Sequence, residues 1–425
     1  MHSETVTRRS LIDNIFSLYL LQGLNYLIPM AVLPYLVRVL GMDQYGLIAF
    51  ASSFSQYFTL FTDYGFNYSA TRFIAKNRDN PLATSRMYCC VLLIKGLLTV
   101  LGAAILVTIL FISPRFGHDA AFFLVGYIAV LGNALFPVWY FQGIQQMRFI
   151  SIISGAAKLV SAVLLFVFVH GTNDALLAMT IQSLGLVLAG LAGLWVSLRG
   201  VWLHLQWPSL AEFKTTLVEG WHLFISTAAI SLYSNTNVFL VGLLAGNVQA
   251  AYFGIAEKLI RAMAGLVAPI SQALFPHVSS LVEESSEAAL KFIFRTLKRL
   301  GSLTILFSVF LFVFARPIAT TCFGAAALGT VPIIRWISLL PFLITMNTAL
   351  GVQTMVAFEL DKEFSRILIV AGITNVILAI PLILAFGAQG AGASILFIES
   401  AIALTLVIVL RRNGINLASA TRGRV

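Results

Sequence analysis

Residues 87–112 read MYCCVLLIKGLLTVLGAAILVTILFI, an unbroken apolar run with one charge in it, Lys95, nine residues past the arginine at position 86. About 20 consecutive apolar residues are what a helix needs to cross the hydrocarbon of a bilayer. A charge at the centre of such a helix costs at least about 2.5–3.5 kcal/mol on insertion scales, so it marks an internal polar site. Nine residues are roughly 13 Å of helix, too deep for Lys95 to snorkel comfortably back to the edge at Arg86. The stretch therefore predicts a membrane helix with a functional residue inside it.

Working outward, the whole chain repeats the pattern. Its 425 residues are 59% hydrophobic and 10% charged, with a mean hydropathy of +0.92. A water-soluble fold cannot hide that much apolar surface. Twelve candidate spans follow, near 12–38, 47–71, 87–112, 120–145, 150–169, 175–198, 217–245, 250–275, 292–315, 327–356, 367–386 and 390–410. Strand alternation is absent over these lengths, so the expected class is an all-α polytopic membrane protein. The basic excess, 27 Lys and Arg against 17 Asp and Glu, would suggest nucleic acid on a soluble chain. Here the charges stand singly between spans, without a basic run or an aromatic platform, and they read as orientation signals instead. With the N-terminus in the cytoplasm, that side gathers Arg8, Arg72, Lys76, Lys298 and most other cations, while the outer side keeps Arg38, Arg115, Arg316 and Arg335. Both termini are thus expected on the cytoplasmic side, with an even number of spans.

The first span follows two arginines but is too long for a signal peptide and has no small-residue cleavage site, so it is expected to stay as helix one. Cys89, Cys90 and Cys322 offer no framework of spaced pairs, lie in apolar surroundings and read as buried small hydrophobes. The segment 199–216 divides the spans six and six, giving expected lobes 1–205 and 206–425. Gly41-Met-Asp-Gln-Tyr45-Gly46 after span one and Gly246-Asn-Val-Gln-Ala-Ala-Tyr252-Phe-Gly254 after span seven are either ordinary turn chemistry or the trace of a parallel repeat.

Seven charges lie inside spans: Asp63, Lys95, Lys158, Glu257, Lys258, Arg261 and Glu399. Glu257 and Arg261, at i and i+4, are spaced to neutralise each other, with Lys258 flanking them. Lys95 has Asp63 or Glu399 as a candidate partner. Those two carboxylates are either counter-ions of cavity lysines or coupling sites for H⁺ or Na⁺. Polar stripes accompany them: Gln22, Asn25, Tyr26 and Pro29 in span one, Ser52, Gln56, Thr59 and Asp63 in span two, and Ser234-Asn235-Thr236-Asn237 in span seven. Single polar groups of this kind glue helices together. Stripes on equivalent helices of both halves are better explained by a hydrated cavity.

At these residues the chain resembles bacterial O-antigen and polysaccharide flippases of the Wzx type. The stretches that carry the resemblance are Leu33-Pro34 to Gly41, Asp63-Tyr-Gly-Phe-Asn67 to Arg72, Pro137-Val-Trp139-Tyr-Phe-Gln142-Gly143, Phe224 to Tyr233, Pro269-Ile-Ser-Gln272 and Glu363 to Gly372. The resemblance implies membership of the multidrug/oligosaccharidyl-lipid/polysaccharide exporter superfamily, with two six-helix lobes around a central cavity that opens alternately to either side. It implies a substrate class too, an oligosaccharide linked through pyrophosphate to undecaprenol, and as partners a polysaccharide polymerase and a chain-length regulator.

That substrate fits the residues. Its tail can remain in the bilayer, its head carries about two negative charges, and its sugar hydroxyls cannot cross hydrocarbon unpaired. Lys95, Lys158, Arg261 and Lys258 are accordingly the candidate pyrophosphate ligands, and Gln22, Asn25, Gln56, Asn235 and Asn237 the candidate lining of the glycan path. Asp63 and Glu399 are the candidate ion-coupling residues. No cofactor or metal is expected, and no Gly-x-x-x-x-Gly-Lys-Ser/Thr loop for ATP occurs. Two rivals stand beside this reading. A membrane polymerase or ligase would need catalytic acids on a large external loop, whereas the outer loops are short. A drug or cation exporter would need an acidic cavity, whereas this interior carries four cations against three anions.

Overall fold

The computed structural model describes residues 2–200 and 207–415, with side chains left aside at 2–22, 24, 25, 200, 222, 226, 229, 230, 232–235, 268, 269, 272, 273 and 276. Within it the chain runs through α1 (His2–Asp63), α2 (Phe66–Lys76), α3 (Pro81–Ile112), α4 (Pro114–His118), α5 (Ala120–Leu135), α6 (Val138–Gly143), α7 (Met147–Phe168) and α8 (Ala175–Gly200). It continues through α9 (Leu210–Ala245), α10 (Asn247–Gly265), α11 (Ala268–Glu284), α12 (Ser286–Val313), α13 (Ala315–Ile318), α14 (Thr330–Ile337), α15 (Leu340–Leu350), α16 (Asp361–Phe386) and α17 (Ala388–Arg412).

Every expected span falls on helix. Nine helical segments among the described residues are long and apolar enough to cross a membrane, and one of them, Tyr26–Lys76, takes in the expected span 47–71 together with the second half of 12–38. The protein is a polytopic, all-α membrane protein. Helix α3 displays the inside-out polarity of such a fold: Leu97 is 57% exposed and Val100 70%, while Lys95 on the opposite face is 2% exposed. In water that helix would turn the other way round.

Glycine breaks the longest helices where sequence reading expects a turn. At Gly41, φ 77° and ψ 171° interrupt α1, and at Gly246, φ 92° and ψ 174° separate α9 from α10. This corner of φ/ψ space is open essentially to glycine alone. The two breaks share one backbone conformation, which Gly324 adopts as well (φ 88°, ψ 174°), and each has a glutamine three residues on, Gln44 and Gln249. A third break, Tyr64 (φ 45°) and Gly65 (φ 78°), ends α1 immediately after Asp63. A Cβ on Gly65 would also sit 2.9 Å from that of Leu223.

Packing divides the described chain into two compact units, one from Val39–Phe239 and the other from Met1–Arg38 with Leu240–Val425. The division expected from loops, at 205/206, runs differently, because the first helix of each half packs with the other half's helices. In the N-terminal unit, Phe239 of α9 stacks on Phe50 and Phe54 at 5.7 and 5.5 Å, Phe224 stacks on Tyr64 at 5.2 Å, and Tyr57 donates to Thr236 at 3.0 Å. In the C-terminal unit, Tyr26 lies against Gly265, and the Arg38 guanidinium donates to the Thr321 carbonyl.

Candidate functional site

In the N-terminal unit the second span presents the face anticipated from its spacing. Ser52 and Gln56 are exposed and Thr59 and Asp63 half-exposed, while Ala51, Phe54, Ser55, Phe58 and Thr62 are buried. The stripe ends at Asp63, the last residue of α1. A carboxylate at a helix C-terminus opposes the helix dipole, so it needs a cation. Lys95 supplies it: Nζ lies 2.8 Å from Asp63 Oδ1 and also donates to the Asn133 carbonyl at 3.4 Å. The Asn67 amide approaches the other carboxylate oxygen at 3.5 Å. Four elements thus meet at one ion pair, the second half of α1, α2, α3 and α5.

The pair is asymmetric in access. Lys95 is 2% exposed and Asp63 28%, so the carboxylate is the member that can be reached. Around Lys95 the network closes further: Thr99 donates to the Lys95 carbonyl at 2.7 Å, and Tyr127 donates to that of Thr99 at 2.5 Å. Of the two partners the sequence allows for Lys95, the structure selects Asp63. Lys158, on α7 of the same unit, is half-buried. Asn237 on α9 is 1% exposed and so is packed rather than displayed.

In the C-terminal unit, Glu257 and Arg261 form the i, i+4 pair anticipated from spacing, with Arg261 Nη2 2.7 Å and Nε 3.1 Å from Glu257 Oε1. Arg261 is 44% exposed and Glu257 14%, and Lys258 beside them is exposed. Glu399 on α17 is 5% exposed. Its Oε2 accepts from the Asn347 amide at 2.6 Å, and its carbonyl accepts from the same nitrogen at 3.1 Å. Gln22, Asn25 and Asn235 lie outside the residues whose side chains are described.

Asn67, Asn133 and Asn347 join the site as positioning groups. Asn133 and Asn347 had a signal, since each stands among polar residues of its span, Asn133 with Tyr140, Gln142 and Gln145 and Asn347 with Thr348, Gln353 and Thr354. What they contact depends on tertiary packing that spacing does not encode. No group of His, Cys, Asp and Glu able to hold a metal occurs among the described residues.

Comparison with known proteins agrees with this architecture. Residues 11–282 match the family model described as "Polysaccharide biosynthesis protein". A protein of Escherichia coli K12 named "Putative O-antigen transporter" is 32% identical over 404 residues, 95% of this chain and 97% of that one. Among solved structures, the inward-facing form of a multidrug resistance MATE family transporter of the MOP superfamily superposes with a TM-score of 0.72 at 14% identity, covering 95% of this chain and 96% of that one. The lipid II flippase MurJ, in an inward closed form, gives 0.66 at 13% identity, covering 93% and 87%. These two likenesses establish the fold. The family match and the 32% identity establish more: the chain belongs to the polysaccharide biosynthesis protein family of membrane proteins.

Proposed function

We propose that this protein is a flippase that moves lipid-linked polysaccharide repeat units, carried on undecaprenyl pyrophosphate, from the cytoplasmic to the periplasmic leaflet of the bacterial inner membrane. The observation that carries the reading is the 32% identity over 95% of the chain to a protein named as an O-antigen transporter. The geometry is compatible with it, for the spans hold buried and accessible cations together with polar stripes.

In this reading Arg261, Lys258 and Lys158 receive the pyrophosphate, and the Gln56 stripe accompanies the glycan. Lys95 plays another part. Sealed by Asp63, it meets the anion only when the carboxylate lets go, so Asp63 and Lys95 form an exchangeable pair in which a proton or Na⁺ at Asp63 releases Lys95 to the substrate. Glu399, held by Asn347, is the second coupling residue. Export proceeds by alternating access with both chain termini in the cytoplasm. Membrane potential assists it, since moving about two negative charges outward through about 100 mV gains up to roughly 4–5 kcal/mol. A polymerase and a chain-length regulator take over the exported unit.

Deleting the gene and locating the lipid-linked units that accumulate tests the proposal. Loss of surface polymer with units trapped on the cytoplasmic face is the expected outcome. Units trapped on the periplasmic face would point to a polymerase or ligase instead.

A further inference from the structure

A cleft of about 620 Å³ opens on the side of the C-terminal unit, between the last turns of α12, the helix α14 and Leu396 of α17. That volume lies in the range of small-molecule sites, about 300–1,000 Å³. Most of its wall is apolar and faces outward, with Val309 53% and Phe312 52% exposed. Besides the Trp336 indole and Ser338, whose hydroxyl donates to the Arg335 carbonyl at 2.8 Å, two polar groups interrupt it. Arg335 lies at the cleft with its guanidinium 5.8 Å from the Phe312 ring centroid. No carboxylate lies within ion-pair distance of it among the described residues.

The second group is Ser308. On the same helix Ser302 and Thr304 return their hydroxyls to the carbonyls of Lys298 and Leu300, at 2.7 and 2.9 Å, as helical hydroxyls ordinarily do in apolar surroundings. Ser308, only 3% exposed, has a buried hydroxyl with no hydrogen-bond partner among the described residues and lines the cleft. An unmet buried hydroxyl and an arginine without a carboxylate, set in a lipid-facing wall, call for a ligand that is both apolar and anionic.

Position along α12 selects among such ligands. The first half of that helix carries Lys291, Arg295, Lys298 and Arg299, whereas Ser308 lies ten residues beyond Lys298, roughly 15 Å along the axis. The cleft therefore lies toward the end of α12 away from its basic end, the side on which the charge bias puts the outer leaflet. We propose that this cleft binds one glycerophospholipid of that leaflet. Its phosphodiester pairs with Arg335, an ester or phosphate oxygen accepts from the Ser308 hydroxyl, and an acyl chain lies along Val309 and Phe312. The site is separate from the pyrophosphate ligands proposed above and does not depend on them.

Native mass spectrometry of the delipidated full-length protein, titrated with phosphatidylglycerol, reads the site directly. The expected result is one tightly retained lipid whose apparent affinity falls tenfold or more in Arg335→Ala, is largely kept in Arg335→Lys, and falls severalfold in Ser308→Ala. Val309→Trp, which fills the cleft while leaving Arg335 in place, should cause the same loss as Arg335→Ala and serves if that variant does not fold. Parallel titrations use diacylglycerol, undecaprenyl phosphate and inorganic phosphate. Equal retention in wild type and Arg335→Ala overturns the proposal. So does Arg335-dependent binding of undecaprenyl phosphate or inorganic phosphate in preference to phosphatidylglycerol.

Discussion

Asp63 and Lys95 define the residue scale, because a pair 2.8 Å apart with one member 2% exposed is costly to break from either side. Removing one partner of a buried pair leaves an uncompensated charge and typically costs about 3–5 kcal/mol, whereas replacing both with apolar groups is often neutral. Asp63→Ala should therefore lower the stability of the purified protein by several kcal/mol, since Lys95 loses its counter-charge. The double variant Asp63→Leu/Lys95→Met should recover most of that stability in a detergent denaturation series while failing to support polymer export in cells. Export by the double variant would reduce the pair to scaffolding. Sequence alone names both residues and cannot marry them, since Asp63 and Glu399 are equally good partners for Lys95 on charge. The choice is made by Asn133 and Asn67, whose carbonyl and amide fix where the two side chains meet.

At the scale of elements, most of the helical content is legible because apolar runs of spanning length leave the backbone no other way to satisfy its hydrogen bonds. The glycine breaks are legible in position but not in shape. Gly41 and Gly246 each have nothing within 4 Å of a Cβ position, so a side chain there meets no neighbour and pays only for the backbone. Gly41→Ala and Gly246→Ala should each cost about 1–3 kcal/mol. Gly96→Ala, in the helical interior of α3 with equally open space, should leave stability unchanged or raise it by up to about 1 kcal/mol. Equal effects at all three positions would contradict the assigned conformations. The start of α9 offers a pH-dependent counterpart. Glu212 accepts from the Ser209 backbone N–H at 2.7 Å, while the Ser209 hydroxyl accepts from the Glu212 N–H at 3.2 Å, a reciprocal cap of the S-x-x-E kind. The bond from the Ser209 N–H, with that from the Ser209 hydroxyl, holds the Glu212 carboxyl below its usual range. Its contribution is therefore present at neutral pH and is lost as pH falls through that lowered value. Hydrogen exchange at the first turn of α9 should be slower in wild type than in Glu212→Ala at pH 7, with the difference gone in strong acid.

For the whole molecule, the composition of the two packing units was the least legible feature. A loop at 199–216 divides the spans evenly, yet helix membership is decided by contacts such as Tyr57 with Thr236, 179 residues apart, and no local pattern reports those. Orientation rests on the bias of Lys and Arg between the two sides, and Cys322 provides a direct check: of the three cysteines expected to be buried, only Cys90 is, while Cys322 is exposed. A membrane-impermeant maleimide added to intact spheroplasts should label Cys322 and leave Cys90 unmodified. Labelling of Cys322 from inverted vesicles alone would reverse the topology. The central claim, transport of a lipid-linked glycan, is tested most directly by reconstituting the purified chain in liposomes with an undecaprenyl-pyrophosphate-linked repeat unit. The measurement is the fraction of glycan open to an external glycan-cleaving enzyme over time. Transfer between leaflets that requires the chain and slows markedly in Arg261→Ala is the predicted result. Glycan that stays in its original leaflet with folded wild-type protein under an imposed membrane potential and under ion gradients would contradict it.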